Sequence, residues 1–449
     1  MGDAGTVTKT PTLIPRPEHI ISRANISKNA LKVLYRLKES GYDAYLVGGG
    51  VRDLLLGREP KDFDVATNAH PDEVHALFRN SRLIGRRFRL VHVQFGREIV
   101  EVSTFRALLP EEIEEGATDL RTEDGRILRD NVYGTIEEDA WRRDFTINAL
   151  YYNIEDFSVV DYVGGVEDLR VGMLRMIGGD PERRYREDPV RMLRAVRFAA
   201  KLGFRIHPDS ERPLQELGHL LAEVPPARLF DEILKLFLAG QALPTFELLR
   251  RYRLFGHLFP LTEEALAHEE QGFPITFVAR ALANTDARVN EDKPVTPAFL
   301  FAALLWEPVQ RRSRALHEEQ GVPPAQALQR AASEVLDAQV DTIAIPRRFS
   351  IPMRDIWALQ PRFTQRRGRR PLRLLEHPRF RAAYDFLALR AEAGEALQEL
   401  VEWWTELQGL EADERERRLA QGGARSGKRR GRRKRRRRGP GSDASGGAP

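Results

Sequence analysis

Two carboxylates one residue apart, close to a glycine-rich turn, are the residues of this chain best suited to chemistry. They belong to the segment VGGGVRDLLLGREPKDFDVAT, residues 47–67. Gly48 and Gly49 predict a strand-to-helix turn whose backbone N–H groups can approach a phosphate. Asp62 and Asp64 are predicted on one strand and point the same way, because side chains on a strand repeat every two residues. Two adjacent negative charges favour a divalent metal such as Mg²⁺, so the segment indicates metal-assisted nucleotide chemistry.

Two further residues extend this candidate site. Arg52 follows the glycines and can reach the same anion. Glu101, in the predicted strand IVEVSTF, is either a third acid aimed at the metal or a solvated strand residue. A glycine turn alone is often only a tight turn, and a lone DxD pair is common. The prediction of a metal and nucleotide site therefore rests on the glycine turn and the acid pair occurring together.

The segment RRDFTINAL supplies groups that suit a sugar and a phosphate. A helix predicted from about 136 to 149 places Asp144 and Asn148 four residues apart on one face. A carboxylate and an amide can hold sugar hydroxyls, and Arg143 can take phosphate oxygens. The alternative is a surface ion pair between Asp139 and Arg143, which are also four residues apart.

The segment YREDPVRMLRAVRF predicts a second functional helix. Asp188 is placed as its N-cap and Pro189 at its first position. Arg191 and Arg194, three residues apart, share a face and could read base edges or phosphates with their guanidinium forks. The alternative is a solvated basic helix face.

The charge of the chain is strongly segregated. Residues 425–438 contain eleven basic residues and no acid, and without them the chain has 60 basic and 66 acidic residues. A run this dense repels itself and favours a polyanion such as RNA over anionic lipid, because nothing amphipathic adjoins it. A purely solubilising tail is the alternative. The candidate RNA-binding residues are Arg425, Lys428, Arg429, Arg430, Arg432, Arg433, Lys434, Arg435, Arg436, Arg437 and Arg438.

Composition limits the classes that remain. The 449 residues suffice for two to four compact units, and the absence of cysteine excludes disulfides and thiolate metal sites. No apolar run is long enough to cross a membrane, and the N-terminus lacks the features of a secretory signal. We therefore expect a cytoplasmic protein.

The periodicity of the sequence predicts a small α/β unit followed by helices. Strands are expected at about 43–47, 61–66, 89–95 and 98–105, with the last two joined by a Gly96-Arg97 hairpin. A capped helix begins after Ser27, another hairpin covers 150–162, and the unit ends near 165. Helical periods are predicted beyond it at 189–203, 226–239, 243–252, 296–305, 324–338 and 379–408.

The motifs together resemble a known superfamily. LVGGGVRDLLLG, KDFDVAT, RRDFTINAL and EDPVRMLRAVRFA occur in the order seen in class II tRNA CCA-adding enzymes and bacterial poly(A) polymerases. The resemblance is specific from about 40 to 260 and looser to about 405. Within the superfamily, LIGRRFRLVHVQ resembles the segment that separates poly(A) polymerases from CCA-adding enzymes, and the arginine-rich tail is typical of the polymerases.

The resemblance implies an α+β protein in five parts. A polymerase-β-like nucleotidyltransferase head, a mixed sheet with helices, is followed by all-helical neck and body domains. The expected divisions are a flexible arm at 1–25, the head at 26–165, a base-selecting and RNA-binding neck at 166–265, an RNA-binding body at 266–408 and a disordered tail at 409–449.

The resemblance also implies an activity: template-independent addition of AMP from ATP to RNA 3′ ends, with release of pyrophosphate. Two Mg²⁺ ions, or Mn²⁺ in their place, would be held by Asp62 and Asp64. The remaining roles are triphosphate binding, ribose contact and adenine selection. They are implied, in that order, for Gly48, Gly49, Arg52 and Arg143; for Asp144 and Asn148; and for Asp188, Arg191 and Arg194. The resemblance also implies that Asp144 is a catalytic residue together with Asp62 and Asp64.

Three alternatives remain open from the sequence. The nearest is a CCA-adding enzyme, which would use CTP and a tRNA end. The second is a catalytically idle RNA-binding adaptor, and the third is an enzyme that nucleotidylates antibiotics or proteins. We further expect a monomer that acts with RNA-decay proteins.

Overall fold

The computed structural model describes residues 10–85, 89–108, 132–267 and 276–419. Within these residues the chain forms two compact units. The first contains the chain up to Pro225 and returns for Pro244–His257, and the second contains Pro226–Leu243 and the chain from Leu258. The predicted head boundary at 165 therefore falls inside a compact unit.

The first unit is built on an eight-stranded mixed sheet in the order β1-β8-β7-β2-β3-β6-β5-β4. Only β3 and β6 pair in parallel, and every other neighbouring pair is antiparallel. A two-stranded parallel sheet, β9 with β10, lies in the same unit. The strands are β1 Thr12–Ile14, β2 Ala44–Val47, β3 Asp64–Thr67, β4 Ser81–Ile84, β5 Leu90–Phe95, β6 Glu98–Thr104, β7 Leu150–Asn153, β8 Val159–Asp161, β9 Met173–Leu174 and β10 Arg205–Ile206.

Eight helices accompany these strands in the described part of the first unit before Pro225. They are α1 Lys28–Glu39, α2 Gly49–Leu55, α3 Pro71–Leu77, α4 Ile136–Arg142, α5 Gly165–Arg170, α6 Pro181–Glu187, α7 Val190–Leu202 and α8 Pro208–Glu216. The mixed sheet with helices confirms the predicted α+β class.

The first helix illustrates how the sequence directs local structure. The Ser27 hydroxyl accepts hydrogen bonds from two backbone N–H groups of the first turn of α1, as a helix N-cap does. Val33, Leu34 and Leu37 are fully buried against the sheet side of the unit, and Leu31 is partly buried. The predicted cap and apolar face are therefore confirmed.

The remaining described chain is helical, as predicted up to about residue 408. Its helices are α9 Pro226–Phe237, α10 Ala242–Arg251, α11 Phe255–Leu258, α12 Pro260–Ala267, α13 Thr276–Asn290, α14 Pro297–Leu304, α15 Trp306–Glu318, α16 Pro324–Val340, α17 Arg347–Leu359, α18 Arg370–Leu375, α19 Phe380–Glu392 and α20 Gln398–Gly409. The prediction of disorder from 409 is wrong for the described residues 412–419, which are helical and bury Leu419. The predicted helical stretch 379–408 is two helices, because the chain turns at Gly394, whose φ of +103° is left-handed.

Four strands escaped the sequence prediction: the two-residue strands β9 and β10, and the longer strands β1 and β4. β1 lies in the segment predicted as a flexible arm, 1–25, and pairs with β8 at the edge of the sheet, so that prediction is wrong for the described residues 10–25. β4 pairs with β5. β1 and β4 are only three or four residues long and lack a clear alternation of buried and exposed residues, which explains why periodicity did not reveal them.

No helix in the described ranges combines the length and the apolar composition needed to cross a bilayer.

Candidate active site

The sheet register brings the glycine turn and the acids together. Asp64 is the first residue of β3 and pairs with Val47, the last residue of β2, and with Glu101 on β6. Gly48 follows Val47 directly, with φ +72°, a left-handed value that favours glycine. The turn into α2 therefore begins beside the carboxylates of Asp64 and Glu101.

Asp62 lies just outside the strand. β3 begins at Asp64, so the predicted strand 61–66 starts three residues later than expected, and Asp62 is exposed on the approach to it. Its backbone carbonyl lies against the turn, where a Cβ added to Gly50 would be 3.4 Å from it. Val65 is buried, as the predicted alternation requires.

The carboxylate of Asp64 is in an unfavourable environment for a negative charge. Burial, the charge of Glu101 and the charge of Asp62 raise its pKa, and Arg143 partly offsets them, with the result that the pKa is about 6. Glu101 and Asp62 are therefore each close enough to Asp64 to repel its negative charge. Glu101 also approaches His92, at 3.5 Å.

The donor chemistry of this cluster fits a divalent metal. Hard carboxylate oxygens suit Mg²⁺, and a cation would relieve the repulsion that raises the pKa of Asp64. Across the residues that the structure describes, however, no three acid or histidine side chains already stand in a metal-binding arrangement. Phosphate oxygens and water would have to complete the coordination, as they commonly do for Mg²⁺.

Arg143 joins the acid cluster to the glycine turn. A Cβ added to Gly48 would be 3.7 Å from its Nη1. The guanidinium is held by Asp139, at 2.8 Å, and its Nε donates to the Tyr151 hydroxyl at 3.0 Å. Burial lowers the pKa of Arg143, but these contacts outweigh it and raise the pKa overall. The Asp139–Arg143 pair exists, but it is largely buried rather than on the surface as considered from the sequence, and it fixes a cation beside the turn.

The prediction of a continuous helix from 136 to 149 is wrong, although Asp144 and Asn148, which it placed on one face, do contact each other. α4 ends at Arg142, and a short 3-10 turn at Thr146–Asn148 follows a break at Asp144. Asn148 Nδ2 nevertheless donates to Asp144 Oδ1 at 3.2 Å. The same oxygen also accepts from the Phe145 N–H at 2.8 Å, a local bond that competes with continued helix.

Asp144 forms the centre of a charged network. Arg194 of α7 contacts its Oδ2 at 2.6 Å, and the carboxylate is 11% exposed. Burial by itself raises the pKa of Asp144, but Arg194, Asn148 and the Phe145 N–H lower it to about 2. Asp144 is therefore ionised at neutral pH and is held in one orientation.

Arg52 is buried beneath the glycine turn and does not face solvent. The side chain is 2% exposed, donates to Asn148 Oδ1 at 2.6 Å and pairs with Asp53 at 2.7 Å. Its guanidinium also lies 5.2 Å from the centre of the Phe198 ring. Arg52 thus supports Asn148 and the turn, and its predicted contact with a triphosphate would require a change in these bonds.

The three residues predicted to select the base have different surroundings. α7 begins at Val190 with Pro189 as its N-cap, so the predicted N-cap at Asp188 is one residue early. The Asp188 carboxylate still accepts from the Val190 N–H, at 3.3 Å. Arg194 contacts Asp144, whereas Arg191 is 8% exposed and contacts Glu187 at 2.9 Å. The structure therefore directs the two arginines to different partners.

Several arginines crowd the end of α4. Burial and the charges of Arg106, Arg143, Arg191 and Arg184 lower the pKa of Arg142 to about 9. Such a concentration of positive charge is costly without an anion nearby. It lies beside the turn and the acids, which is the place where a triphosphate would offset it.

Some predicted features fall outside the described residues. These are the basic run at 425–438 and Arg86 and Arg87 of the LIGRRFRLVHVQ segment. Arg89 of that segment is described and contacts Asp72 at 3.2 Å.

Comparisons with known proteins identify the family of this chain. Three family models match: "Poly A polymerase head domain" at 44–175, "Probable RNA and SrmB-binding site of polymerase A" at 203–266 and "Polymerase A arginine-rich C-terminus" at 320–439. Poly(A) polymerase I of Escherichia coli O157:H7 is 54% identical over 399 residues, which cover 88% of this chain and 86% of that protein. The chain belongs to the bacterial poly(A) polymerase family.

Relatives with the other activity of the superfamily are more distant. The CCA-adding enzyme of Lactobacillus helveticus is 39% identical over 219 residues, 49% of this chain and 52% of that enzyme. A solved structure, the Bacillus stearothermophilus CCA-adding enzyme in complex with CTP, is 27% identical. It matches with a TM-score of 0.55 and covers 84% of this chain and 80% of that one. The nucleotidyltransferase fold is therefore confirmed.

Sequence reasoning missed the residues that hold this family site together. Arg184 Nη2 donates to the carbonyls of Arg142 and Arg143, at 2.8 and 2.5 Å, and its Nη1 donates to Glu187 at 2.8 Å. Glu187, 6% exposed, also binds Arg191. Glu187 lies inside the recognised segment YREDPVRMLRAVRF, and Arg184 lies just before it. The spacings of three and four residues to Arg184 and Arg191 could have indicated the ion pairs of Glu187, whereas the bonds of Arg184 to the two carbonyls appear only in the tertiary structure.

Replacing Arg184 with glutamine is expected to destabilise the first unit by about 2 kcal/mol, because two backbone carbonyls and the buried Glu187 lose a charged donor. Arg186→Gln is the matched control, since Arg186 is 49% exposed and, among the described residues, pairs with Glu182 on the same helix. We expect its effect to stay below about 0.5 kcal/mol. Urea unfolding of both variants measures the difference, and equal midpoints would contradict the positioning role of Arg184.

Proposed function

We propose that this chain adds AMP from ATP to RNA 3′ ends without a template and releases pyrophosphate. Template-independent polyadenylation is the activity that the family relationship supports. The single observation that carries the mechanism is the position of Asp64, which lies between Glu101 and the strand that enters the glycine turn. The acids, the glycine turn and Arg143 lie next to one another on the same sheet.

The acids would bind the metal ions, and the glycine turn would bind the triphosphate. Asp62 and Asp64 would hold two divalent ions, with Glu101 as a further candidate ligand. Mg²⁺ or Mn²⁺ bound there would polarise the attacking 3′-hydroxyl and neutralise charge on the triphosphate. Arg143, next to Gly48, would stabilise negative charge that develops on the phosphates. Gly48 and Gly49 leave the backbone open to a close phosphate approach.

The network around Asp144 would orient the nucleotide. Asp144 is ionised and Asn148 is fixed by Arg52, so both present defined acceptors and donors to ribose hydroxyls. Asp188, Arg191 and Arg194 would favour adenine. Since Arg194 already contacts Asp144, base and ribose recognition would be coupled through one ion pair.

One assay tests the proposal against its alternatives. The full chain is incubated with Mg²⁺, labelled ATP or CTP, and either oligo(A) or a tRNA that lacks its CCA end. Long ladders from ATP alone support polyadenylation. One to three additions that use both nucleotides would indicate a CCA-adding enzyme, and no incorporation would indicate an RNA-binding adaptor.

The basic run at 425–438 would raise the local concentration of RNA and steer its encounter. Deleting it is expected to weaken binding to a 20-nucleotide RNA at least tenfold at 50 mM salt and to flatten the salt dependence, because fewer counterions are released. Fluorescence anisotropy over a salt series measures both quantities. An unaltered salt slope would remove the run from RNA binding.

The cellular setting is a further part of the proposal. We infer that the added tails feed RNA processing and decay, with decay proteins as partners, and that the chain acts as a monomer in the cytoplasm. The cysteine-free sequence is compatible with a reducing compartment. Light scattering on the purified chain tests the monomer, and a stable dimer would contradict it.

A further inference from the structure

Three helices of the second unit line a cavity that the proposed chemistry does not use. Its volume is about 380 Å³, which lies within the range of small-molecule sites, about 300–1,000 Å³. The lining residues come from α12, α15 and α16. The residues of the candidate active site all belong to the first unit, so the cavity is not part of that site.

The spacing and size of the lining residues explain why this space is left unfilled. On α15 they occupy positions 308, 311, 312 and 315, which form one face of a helix. The lining positions of α12 and of α16 likewise share a face. Each of the three helices places an alanine there, whose methyl group is too short to fill the gap. The apolar lining residues are Leu261, Ala265, Pro308, Ala315, Val335 and Ala338.

One cation at this cavity has no counter-ion among the described residues. Arg311 lines the cavity and is partly buried, and within the described ranges its guanidinium forms no hydrogen bond or ion pair. Its neighbour Arg312 pairs with Glu334, which Arg330 also contacts, at 2.8 Å. Glu264 lines the cavity as well, but it is exposed, so solvent screens its charge. Positive charge is therefore left over at Arg311.

A partly buried guanidinium beside apolar walls defines the chemistry of the occupant. The arginine fork matches the two oxygens of a carboxylate, and the apolar walls favour a hydrocarbon chain that leaves water. A nucleotide fits less well, because apolar walls cannot satisfy the polar groups of its sugar and base. We propose that this cavity binds a small aliphatic monocarboxylate, with the carboxylate on Arg311 and the chain between α12, α15 and α16.

A series of chain lengths tests the apolar half of the proposal. Hexanoate, octanoate and decanoate are titrated into the full chain by isothermal titration calorimetry, below the concentrations at which they aggregate. Each added methylene should strengthen binding about fourfold, and each step of the series about 15-fold, until the cavity is full. The matched neutral probe is 1-octanol, which should bind about tenfold more weakly than octanoate because it lacks a charge-assisted contact.

Three variants test the position of the ligand. Arg311→Gln should weaken octanoate binding about tenfold and leave 1-octanol binding unchanged. Arg314→Gln is the matched control and should keep full affinity, because Arg314 is an exposed arginine of the same helix that does not line the cavity. Ala338→Phe introduces a ring at an exposed lining position, which should fill the cavity and abolish binding of every probe. Urea unfolding midpoints establish that the variants are folded.

Four results would overturn the proposal. They are equal affinities for octanoate and 1-octanol, an equal loss in Arg311→Gln and Arg314→Gln, undiminished binding in Ala338→Phe, and AMP that binds the cavity as tightly as octanoate. The octanoate series contains no ATP, RNA or metal, so its outcome does not depend on polyadenylation. Absence of AMP incorporation by the unmodified chain would count against the proposed function and leave the cavity result intact.

Discussion

Asp64→Asn is expected to reduce AMP incorporation by roughly a thousandfold or more while the folded state becomes slightly more stable. The loss of activity follows because an amide cannot replace a carboxylate as a metal ligand. The gain in stability follows because burial and the charges of Glu101 and Asp62 raise the pKa of Asp64 to about 6. An ionised Asp64 therefore costs free energy in the folded state at neutral pH. After allowance for partial exposure, we expect a gain of about 1 kcal/mol.

Opposite changes in activity and stability separate a metal site from a structural one. Urea unfolding with a chelator present and single-turnover incorporation of labelled AMP are the two measurements. Asp72→Asn is the control, because Asp72 is an exposed acid of the same unit that pairs with Arg89. Its activity should remain near that of the unmodified chain. Loss of stability together with activity in Asp64→Asn would indicate a structural carboxylate and contradict the metal assignment.

Asp144→Asn is expected to lower kcat/KM for ATP about a hundredfold and to destabilise the fold by about 2 kcal/mol at pH 7. The pKa of Asp144 is lowered to about 2 in the folded chain. The ionised form of Asp144 therefore stabilises the fold at every pH above the ordinary pKa of an aspartate. This contribution is fully present at pH 7. It is lost as the pH falls from about 4 towards 2, and the difference between variant and unmodified chain should shrink over that interval.

A double-mutant cycle assigns the effect to the ion pair. Arg194→Gln and the double variant with Asp144→Asn should yield a coupling energy of about 1–3 kcal/mol, because the two side chains are 2.6 Å apart. Arg197→Gln is the matched control on the same helix face, since its guanidinium also lies over the Phe198 ring. Additive effects of Asp144→Asn and Arg194→Gln would show that the two groups act independently and would remove the coupling of base and ribose recognition.

Local patterns predicted much of the first unit. The Ser27 cap, the Gly96-Arg97 hairpin and the hairpin at 150–162 are present because each depends on neighbours within a few residues. The prediction of a helix at 136–149 was wrong for a related reason. Its apolar period was read as continuous helix, whereas the Asp144 carboxylate bonds to the next N–H and the chain breaks there.

The sequence by itself determined which residues could do chemistry: the glycines, the paired acids and the two arginine-bearing segments. It did so because residue type and spacing constrain charge, backbone freedom and strand direction. Only the tertiary structure decided their partners. It placed Glu101 beside Asp64, paired Arg194 with Asp144 and buried Arg52 against Asn148. Such contacts join residues up to about a hundred positions apart, and they depend on sheet register and helix packing, which no local pattern encodes.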